Sequence, residues 1–210
     1  MRVELPVDHP FDYQLAMDRV ARYRAPRNKI RNLRENGDLI RIRKGLYVAP
    51  SFPGRPPAVS PLALAALIYG PSYVSMESAL SHHGLIPERV DEITSVTCKR
   101  AKRFQTPLGR FTYRPVSESA FSYGVALQSV AGGSFFLAEP EKALCDRIAC
   151  IRHLTAMRDV PAALEDHLRV DLDAVVRMRL NVVRHIAKRY RRRNVDAFLR
   201  WLQRHGTSTG

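Results

Sequence analysis

Residues 24–50 change from a helical to a strand-like pattern within a short distance, and this change most limits the fold that the chain can adopt. Pro26 suits the first position of a helix, where its missing N–H costs nothing. Asn36 and Gly37 suit a left-handed helix end. The sequence therefore predicts a helix of about three turns that begins at Pro26 and stops at Gly37.

A basic hairpin is predicted directly after this helix. Residues 39–43 mix apolar and cationic side chains, and residues 46–48 form a return strand. Lys44 and Gly45 between them make a two-residue turn of the kind that favours a hairpin. Residues 11–23 supply a candidate supporting helix, so the order of elements predicts a winged helix-turn-helix.

The predicted helix and hairpin present a polar, cationic surface whose chemistry suits duplex DNA. Ile30 and Leu33 share the apolar face of the helix, at about 100° per residue. Asn and Arg side chains match adenine and guanine edges in the major groove, whereas flanking Lys and Arg suit phosphate oxygens. The alternative is an ordinary solvated helix and hairpin. The residues predicted to contact DNA are Arg27, Asn28, Lys29, Arg31, Asn32, Arg34, Arg41, Arg43 and Lys44.

The overall charge also favours a polyanionic partner. The chain of 210 residues has a formal net charge of +14, and its 45% of hydrophobic residues are enough for a core. No leader peptide and no apolar run of about eighteen residues is present in the sequence, which predicts a cytoplasmic protein without a membrane partner. Cys98, Cys145 and Cys150 lack CxxC spacing, so we expect reduced core residues rather than disulfides or a zinc site.

A stretch dense in Pro and Gly, residues 49–61, is expected to be an irregular linker. We therefore predict an α+β chain with three parts. These are a winged helix-turn-helix in residues 1–50, a small antiparallel-sheet α+β domain in residues 60–151, and a helical region in residues 152–205 packed on it. The tail from Gly206 is expected to be disordered.

The middle part is predicted to contain helices over residues 60–69 and 75–83 and a third that opens at Glu139. Strand patterns occur in ITSVT, RFTYRPV, YGVALQSV and SFFLA. The third helix is predicted to bury Ala143, Leu144, Ile148 and Ile151. Apolar residues at helical spacing further on are Val175, Val176, Val183, Ile186, Ala187 and Tyr190, and a closing helix is predicted around Val195, Phe198, Leu199 and Leu202.

A second basic patch is predicted from the sequences KRAKR and KRYRRR. Its cations could contact nucleic acid or an acidic partner, or they could be solvated ends of a strand and a helix. The residues of this second patch are Lys99, Arg100, Lys102, Arg103, Lys188, Arg191 and Arg192.

Two acidic or histidine clusters were weighed as chemical sites. Glu77 precedes His82 and His83, but zinc proteases need two histidines four residues apart, so these adjacent histidines are predicted to end a helix. Asp171 and Asp173 resemble the carboxylate pair of a Mg²⁺-dependent nucleotidyltransferase or nuclease, yet Asp171 fits better as a helix cap. We therefore predict no catalytic site, no metal and no cofactor.

Four separated motifs give the chain a family resemblance. The segments LIRIRKGLYVAP, YVSMESALSHHGLIPE, ITSVTCKRAKRFQTPLGRFTYR and FFLAEPEKALCD, in that order, resemble the AbiEi family of type IV antitoxins. The resemblance covers roughly residues 11–151. It implies a winged helix-turn-helix that represses the protein's own operon, and a remainder that opposes an AbiEii-type nucleotidyltransferase toxin encoded beside it.

The leading hypothesis is therefore an antitoxin and autorepressor that binds double-stranded DNA at operator repeats upstream of its own operon. The resemblance assigns operator binding to the helix and hairpin residues chosen above. A stand-alone transcriptional regulator without a toxin partner is the alternative, and an enzyme acting through Asp171 and Asp173 is the third hypothesis.

Overall fold

The computed structural model describes residues 3–88, 90–130 and 132–207 and is a mixed α+β structure. The strands are β1 (Pro10–Asp12), β2 (Ile40–Arg43), β3 (Leu46–Val48), β4 (Ser72–Val74), β5 (Glu92–Thr97), β6 (Lys102–Thr106), β7 (Gly109–Pro115), β8 (Val125–Val130) and β9 (Gly133–Ala138). The α-helices are α1 (Tyr13–Val20), α2 (Pro26–Glu35), α3 (Pro61–Ile68), α4 (Met76–His82), α5 (Glu118–Phe121), α6 (Pro140–Ile148), α7 (Val160–Ala162), α8 (Leu172–Val176), α9 (Leu180–Tyr190) and α10 (Arg193–His205).

The helix and hairpin predicted near the N-terminus are confirmed. Pro26 lies in the first turn of α2, the helix ends before Asn36, and Gly37 has a φ of 76°. The hairpin pairs Arg43 with Leu46, so that its turn consists of the two residues predicted to form it. The supporting helix α1 packs on α2. A short strand that the sequence did not predict, β1, adds to the hairpin in the order β1-β3-β2.

The strand β3 is buried on both faces and belongs to two hydrophobic clusters. Tyr47 packs with the apolar residues of α1 and α2, including Ile30 and Leu33. Leu46 and Val48 point to the opposite face, as alternation along a strand requires, and join the central core of the molecule. The N-terminal sheet therefore lies between its own two helices and the rest of the protein.

The larger sheet has six strands in the order β6-β7-β5-β4-β9-β8. It is mixed rather than antiparallel as predicted, because β5 pairs in parallel with β7, and β4 pairs in parallel with β9. The helix α3 lies on one face, where the Tyr113 hydroxyl donates to the carbonyl of Ala65 over 2.7 Å. The helix α4 lies on the other, where the Ser78 backbone N–H donates to the Thr94 hydroxyl.

The linker prediction for residues 49–61 is confirmed in that its interior forms no helix or strand. The segment is nevertheless fixed in place. Pro57 and Val59 are buried, and the Asp8 carboxylate accepts hydrogen bonds from the Ser51 hydroxyl and from the Ala58 backbone N–H, the latter over 2.8 Å.

The helical predictions for the rest of the chain hold with small corrections. Ala143, Leu144 and Ile148 are buried on α6, but the helix ends at Ile148, so Ile151 lies beyond it and is only half-buried. The closing helix is α10. A π-helical turn (Ala163–His167) follows α7 and was not predicted.

The predicted C-terminal tail is only partly described. The backbone N–H of Gly206 donates to Leu202, and that of Thr207 donates to the carbonyl of Val176 over 2.9 Å. These two residues are therefore attached to helices rather than disordered, and residues 208–210 lie outside the described part of the chain.

A charged pair lies at the centre of the molecule. The side chains of Lys142 and Asp146 are both 0% exposed, and Lys142 Nζ lies 2.7 Å from Asp146 Oδ1. Lys142 also donates to the carbonyl of Ala120, while the hydroxyls of Tyr73 and Tyr190 donate to Asp146. Burial, and then the Asp146 charge, raises the pKa of both tyrosines, which keeps their protons available for these bonds.

The cysteines differ from their predicted placement. Cys145 is buried as expected, Cys98 is half-buried and Cys150 is exposed. Partial desolvation of the sulfur raises the pKa of all three thiols, even that of Cys150 in a residue that is exposed as a whole, where the nearby Arg114 and Arg147 only partly oppose it. The thiols are therefore poor nucleophiles at neutral pH.

A second buried carboxylate joins the helical region to α6. Glu141 accepts hydrogen bonds from the backbone N–H, Nε and Nη2 of Arg179, at 2.9–3.0 Å. Burial opposes ionisation, but the hydrogen bonds from Arg179 outweigh it and lower the pKa of Glu141 below its ordinary value of 4.5. Because the folded pKa is depressed, the stability from this contact is present above pH 4.5 and is lost as the pH falls below it.

Glu141→Gln is expected to lower the free energy of unfolding by about 1–3 kcal/mol at neutral pH, since a charge-assisted contact is lost. Urea denaturation of the variant and the parent at about pH 7 and about pH 3 measures this. The difference between them should shrink at the lower pH. A difference that does not depend on pH would contradict the role given to the carboxylate charge.

Among the described residues, no helix combines the length and the apolar character needed to cross a bilayer.

Candidate nucleic-acid interface

The outward face of α2 is polar and cationic, and its inward face is apolar. Ile30 and Leu33 are buried, as the sequence predicted. Helical geometry then turns Asn28, Arg31 and Asn32 away from the core, and the structure leaves all three exposed. Side chains with forked hydrogen-bonding groups are thus presented to solvent from a rigid element.

Arg31 has an ionic neighbour on its own helix. Its Nε lies 3.9 Å from Glu35 Oε1, one helical turn away, and both side chains are 65% exposed. An exposed pair of this kind contributes little, because water screens it and two long side chains must be ordered. Arg31 can therefore exchange Glu35 for a stronger acceptor at small cost.

Lys29 differs from the other residues predicted on α2. It is half-buried, and its ammonium lies 5.1 Å from the centre of the Tyr23 ring. It also borders a recess that Asp38, the segment before β1 and residues 49–50 line. The structure thus separates Lys29 from Arg31, whereas Arg27 and Arg34 remain exposed on α2.

The hairpin carries its charge on the outside. Arg41, Arg43 and Lys44 are exposed, while Ile42 between them is buried. A bulge between Arg41 and Arg43 interrupts the regular pairing with β3. Such bulges increase the local twist and redirect side chains. Lys44, in the turn that follows the bulge, is exposed at the tip of the hairpin.

A groove of about 500 Å³ lies between the C-terminal half of α2 and β2. Arg31 and Arg34 line one side, and Arg41 lines the other, with Glu35 as the acidic member. Pro107, in the turn between β6 and β7, closes one end of this groove. Helix and hairpin thus contribute cations to a single surface, which the larger sheet borders.

The KRAKR part of the second patch is divided between two faces of an edge strand. The ammonium of Lys102 lies 5.2 Å from the centre of the Tyr69 ring, and that of Lys99 lies 5.6 Å from it. Arg103 follows Lys102 on β6 and therefore points to the opposite face of the sheet. Arg100 is exposed in the loop before the strand.

The C-terminal part of that patch lies around the end of α9. Lys188 is exposed on α9. Arg191, the first residue after this helix, has a left-handed conformation with a φ of 51°. Arg192 donates from Nη1 to the carbonyl of Ala149 over 3.1 Å. Arg191 and Arg192 border a recess with Pro115, at the end of β7 distant from Pro107.

Comparison of the sequence with known protein families finds no family model that matches it. No curated protein matches it either.

Asp171 and His83, two of the candidate chemical residues, lie at helix ends. Asp171 caps α8 and accepts from the backbone N–H of Asp173 over 2.9 Å, which confirms the capping prediction. His83 follows the last residue of α4, and its Nε2 lies 2.8 Å from the carbonyl oxygen of Ala138, which confirms the prediction of a helix end. In the described ranges no group of three or more His, Cys, Asp or Glu side chains could hold a metal ion.

Two features of the charged surface were missed from the sequence. The sequence predicts only a turn at Pro107, and the residues beside it in the sequence do not indicate that it lies at the groove next to α2. A set of arginines that includes Arg114, Arg147 and Arg152 lines a recess on another part of the molecule. These residues come from a strand, a helix and a loop, so no spacing in the sequence could have brought them together.

Proposed function

We propose that this protein is a DNA-binding repressor whose N-terminal element, from β1 to β3, acts as a winged helix-turn-helix. In this proposal α2 enters the major groove, and the β2–β3 hairpin is the wing that follows the adjacent backbone. Support comes from the order of two helices and a three-stranded sheet, and from the packing of α1 on α2.

The observation that carries this proposal is the division of α2 and the hairpin into a buried apolar side and an exposed cationic side. Asn28, Arg31 and Asn32 are exposed at the centre of the surface, where base edges would lie. Arg41 and Arg43 are exposed beside them, where phosphates would lie. The formal charge of +14 on the whole chain adds a long-range attraction for a polyanion.

The experiment that tests DNA binding is a titration of the full chain with two labelled duplexes. One carries the region upstream of the protein's own gene, and the other is a scrambled duplex of the same length and composition. Tighter binding to the upstream duplex, with an affinity that falls steeply as salt rises, is the expected result. Equal affinity for both duplexes at every salt concentration would contradict the proposed repressor function.

The second half of the proposal is an antitoxin role against a nucleotidyltransferase-like toxin, and it rests on the resemblance of the four motifs to the AbiEi family. Co-expression with the product of the adjacent gene is expected to restore growth that this product alone arrests. A variant with Arg31→Ala and Asn32→Ala should restore growth equally, because protection would not use the operator surface. An adjacent product that arrests growth with or without the chain would favour the stand-alone regulator.

A further inference from the structure

Two adjoining recesses lie on the face of the larger sheet that carries α4. The larger, of about 420 Å³, has Thr94 and Thr112 in its floor. The smaller, of about 240 Å³, reaches from Val96 to the link between α9 and α10. Met76 and Cys150 line both, so the recesses form one continuous feature, which we name the arginine cleft.

The cleft has an excess of positive charge. Its three acidic lining residues are already engaged. Glu77 Oε1 lies 2.5 Å from Arg147 Nε, and Glu92 accepts a hydrogen bond from the Thr112 hydroxyl. Asp146, in the smaller recess, is paired with the buried Lys142. The remaining arginines of the cleft are Arg114, Arg152, Arg191 and Arg192.

Within the described residues none of these four guanidinium groups has a carboxylate partner, and three of the side chains make no hydrogen bond either. Arg192 donates to the carbonyl of Ala149. The side chains of Arg114, Arg152 and Arg191 make no hydrogen bond or ion pair within the part of the chain that the structure describes. Unpaired guanidinium forks around a recess are suited to phosphate oxygens, which they bind in a bidentate manner.

Two residues that line the arginine cleft have an unusual backbone conformation, which is an observation independent of the charges. Met76 has a φ of 52° and Arg191 a φ of 51°, and both line the cleft. A left-handed conformation is unfavourable for residues other than glycine, and such strain tends to concentrate at binding sites. Of the non-glycine residues that have a positive φ in the described ranges, only Asp8 and Arg169 are elsewhere.

The size and lining of the cleft select the class of ligand. The larger recess falls within the roughly 300–1,000 Å³ of small-molecule sites, and a duplex could not enter it. Met76, Val96 and Val116 give the smaller recess an apolar wall. We propose that the arginine cleft binds a nucleoside di- or triphosphate, with Arg114 and Arg152 on the phosphates and the base against this apolar wall.

The test is calorimetric titration of the full chain with ATP, GTP and inorganic pyrophosphate at physiological salt. Saturable binding of at least one nucleotide is expected, with pyrophosphate weaker because it lacks a base. A variant with Arg114→Gln and Arg152→Gln should lower the nucleotide affinity by about tenfold or more. Each substitution removes charge-assisted hydrogen bonds to a phosphate, which are stronger than hydrogen bonds between neutral groups. Both arginines are exposed, so these substitutions leave the core intact.

Two matched variants separate site binding from general attraction to a basic protein. Arg158→Gln with Arg200→Gln removes the same charge from exposed positions outside the cleft, and Arg41→Gln with Arg43→Gln removes it from the hairpin. Both should bind the nucleotide within about twofold of the parent, because the Debye length near 8 Å screens distant charges. Absence of saturable binding, equal losses in all three variants, or pyrophosphate bound as tightly as the nucleotide would each overturn the proposal.

Discussion

Asp146→Ala is expected to lower the free energy of unfolding by about 3–5 kcal/mol, because it leaves the ammonium of Lys142 buried without a counter-charge. Both side chains are 0% exposed, so water cannot replace the lost carboxylate. Tyr73 and Tyr190 would also lose the acceptor of their hydroxyl protons. Chemical denaturation followed by circular dichroism measures the change.

A pair with the same spacing at the surface supplies the control. Arg31 and Glu35 are also four residues apart on a helix, but they are 65% exposed, so Glu35→Ala should change stability by less than about 1 kcal/mol. Replacing both buried charges, Lys142→Met with Asp146→Leu, should recover a large part of the loss, since no uncompensated charge remains. An effect of Asp146→Ala no larger than that of Glu35→Ala would contradict this account of the core.

The largest expected effect on DNA binding comes from Arg31→Ala with Asn32→Ala. This variant should bind the upstream and scrambled duplexes with nearly equal affinity, losing about 1–3 kcal/mol of discrimination for each good base contact. Weaker non-specific binding should remain, because the cations of the hairpin are untouched. Fluorescence anisotropy with the two duplexes measures both quantities.

A hairpin variant that also has two substitutions serves as the comparison for the helix variant. Arg41→Gln with Arg43→Gln should weaken binding to both duplexes alike and lower the slope of log affinity against log salt by about one unit per arginine. The two variants thus predict different signatures, lost discrimination from the helix and lost salt dependence from the hairpin. Unchanged discrimination in the Arg31 and Asn32 variant would exclude α2 as the element that contacts bases.

Elements whose ends are set by local chemistry were predicted well from the sequence. Pro26 and Gly37 mark the limits of α2 through their own backbone preferences, independent of the rest of the chain. The Lys44-Gly45 turn likewise fixes the pairing of Arg43 with Leu46 at the tip of the hairpin, although a bulge that was not predicted shifts the register beyond it. The exposure of the α2 residues that we propose to face DNA follows from the burial of Ile30 alone, because helical periodicity then determines the other positions.

Features that depend on distant parts of the chain were not predictable. The strands β5 and β7 pair in parallel, while β6, which lies between them in the sequence, is placed beyond β7 at the edge of the sheet. Local patterns do not distinguish this order from an antiparallel meander. The strands β1 and β4 are too short to show a period. Charged residues such as Lys142 and Asp146 usually lie in solvent. Their mutual ion pair, the Ala120 carbonyl and the tyrosine hydroxyls, most of them brought by other elements, make their burial possible.

The double burial of β3 limits how the N-terminal element can be exchanged. Exchanging the N-terminal element for one from another protein would take Leu46 and Val48 out of the central core, and the incoming strand would have to match their shapes. Substitution at outward positions such as Asn28 and Asn32 carries no such demand. Under the proposed function, point changes on α2 therefore demand less of the rest of the protein than replacement of the whole N-terminal element.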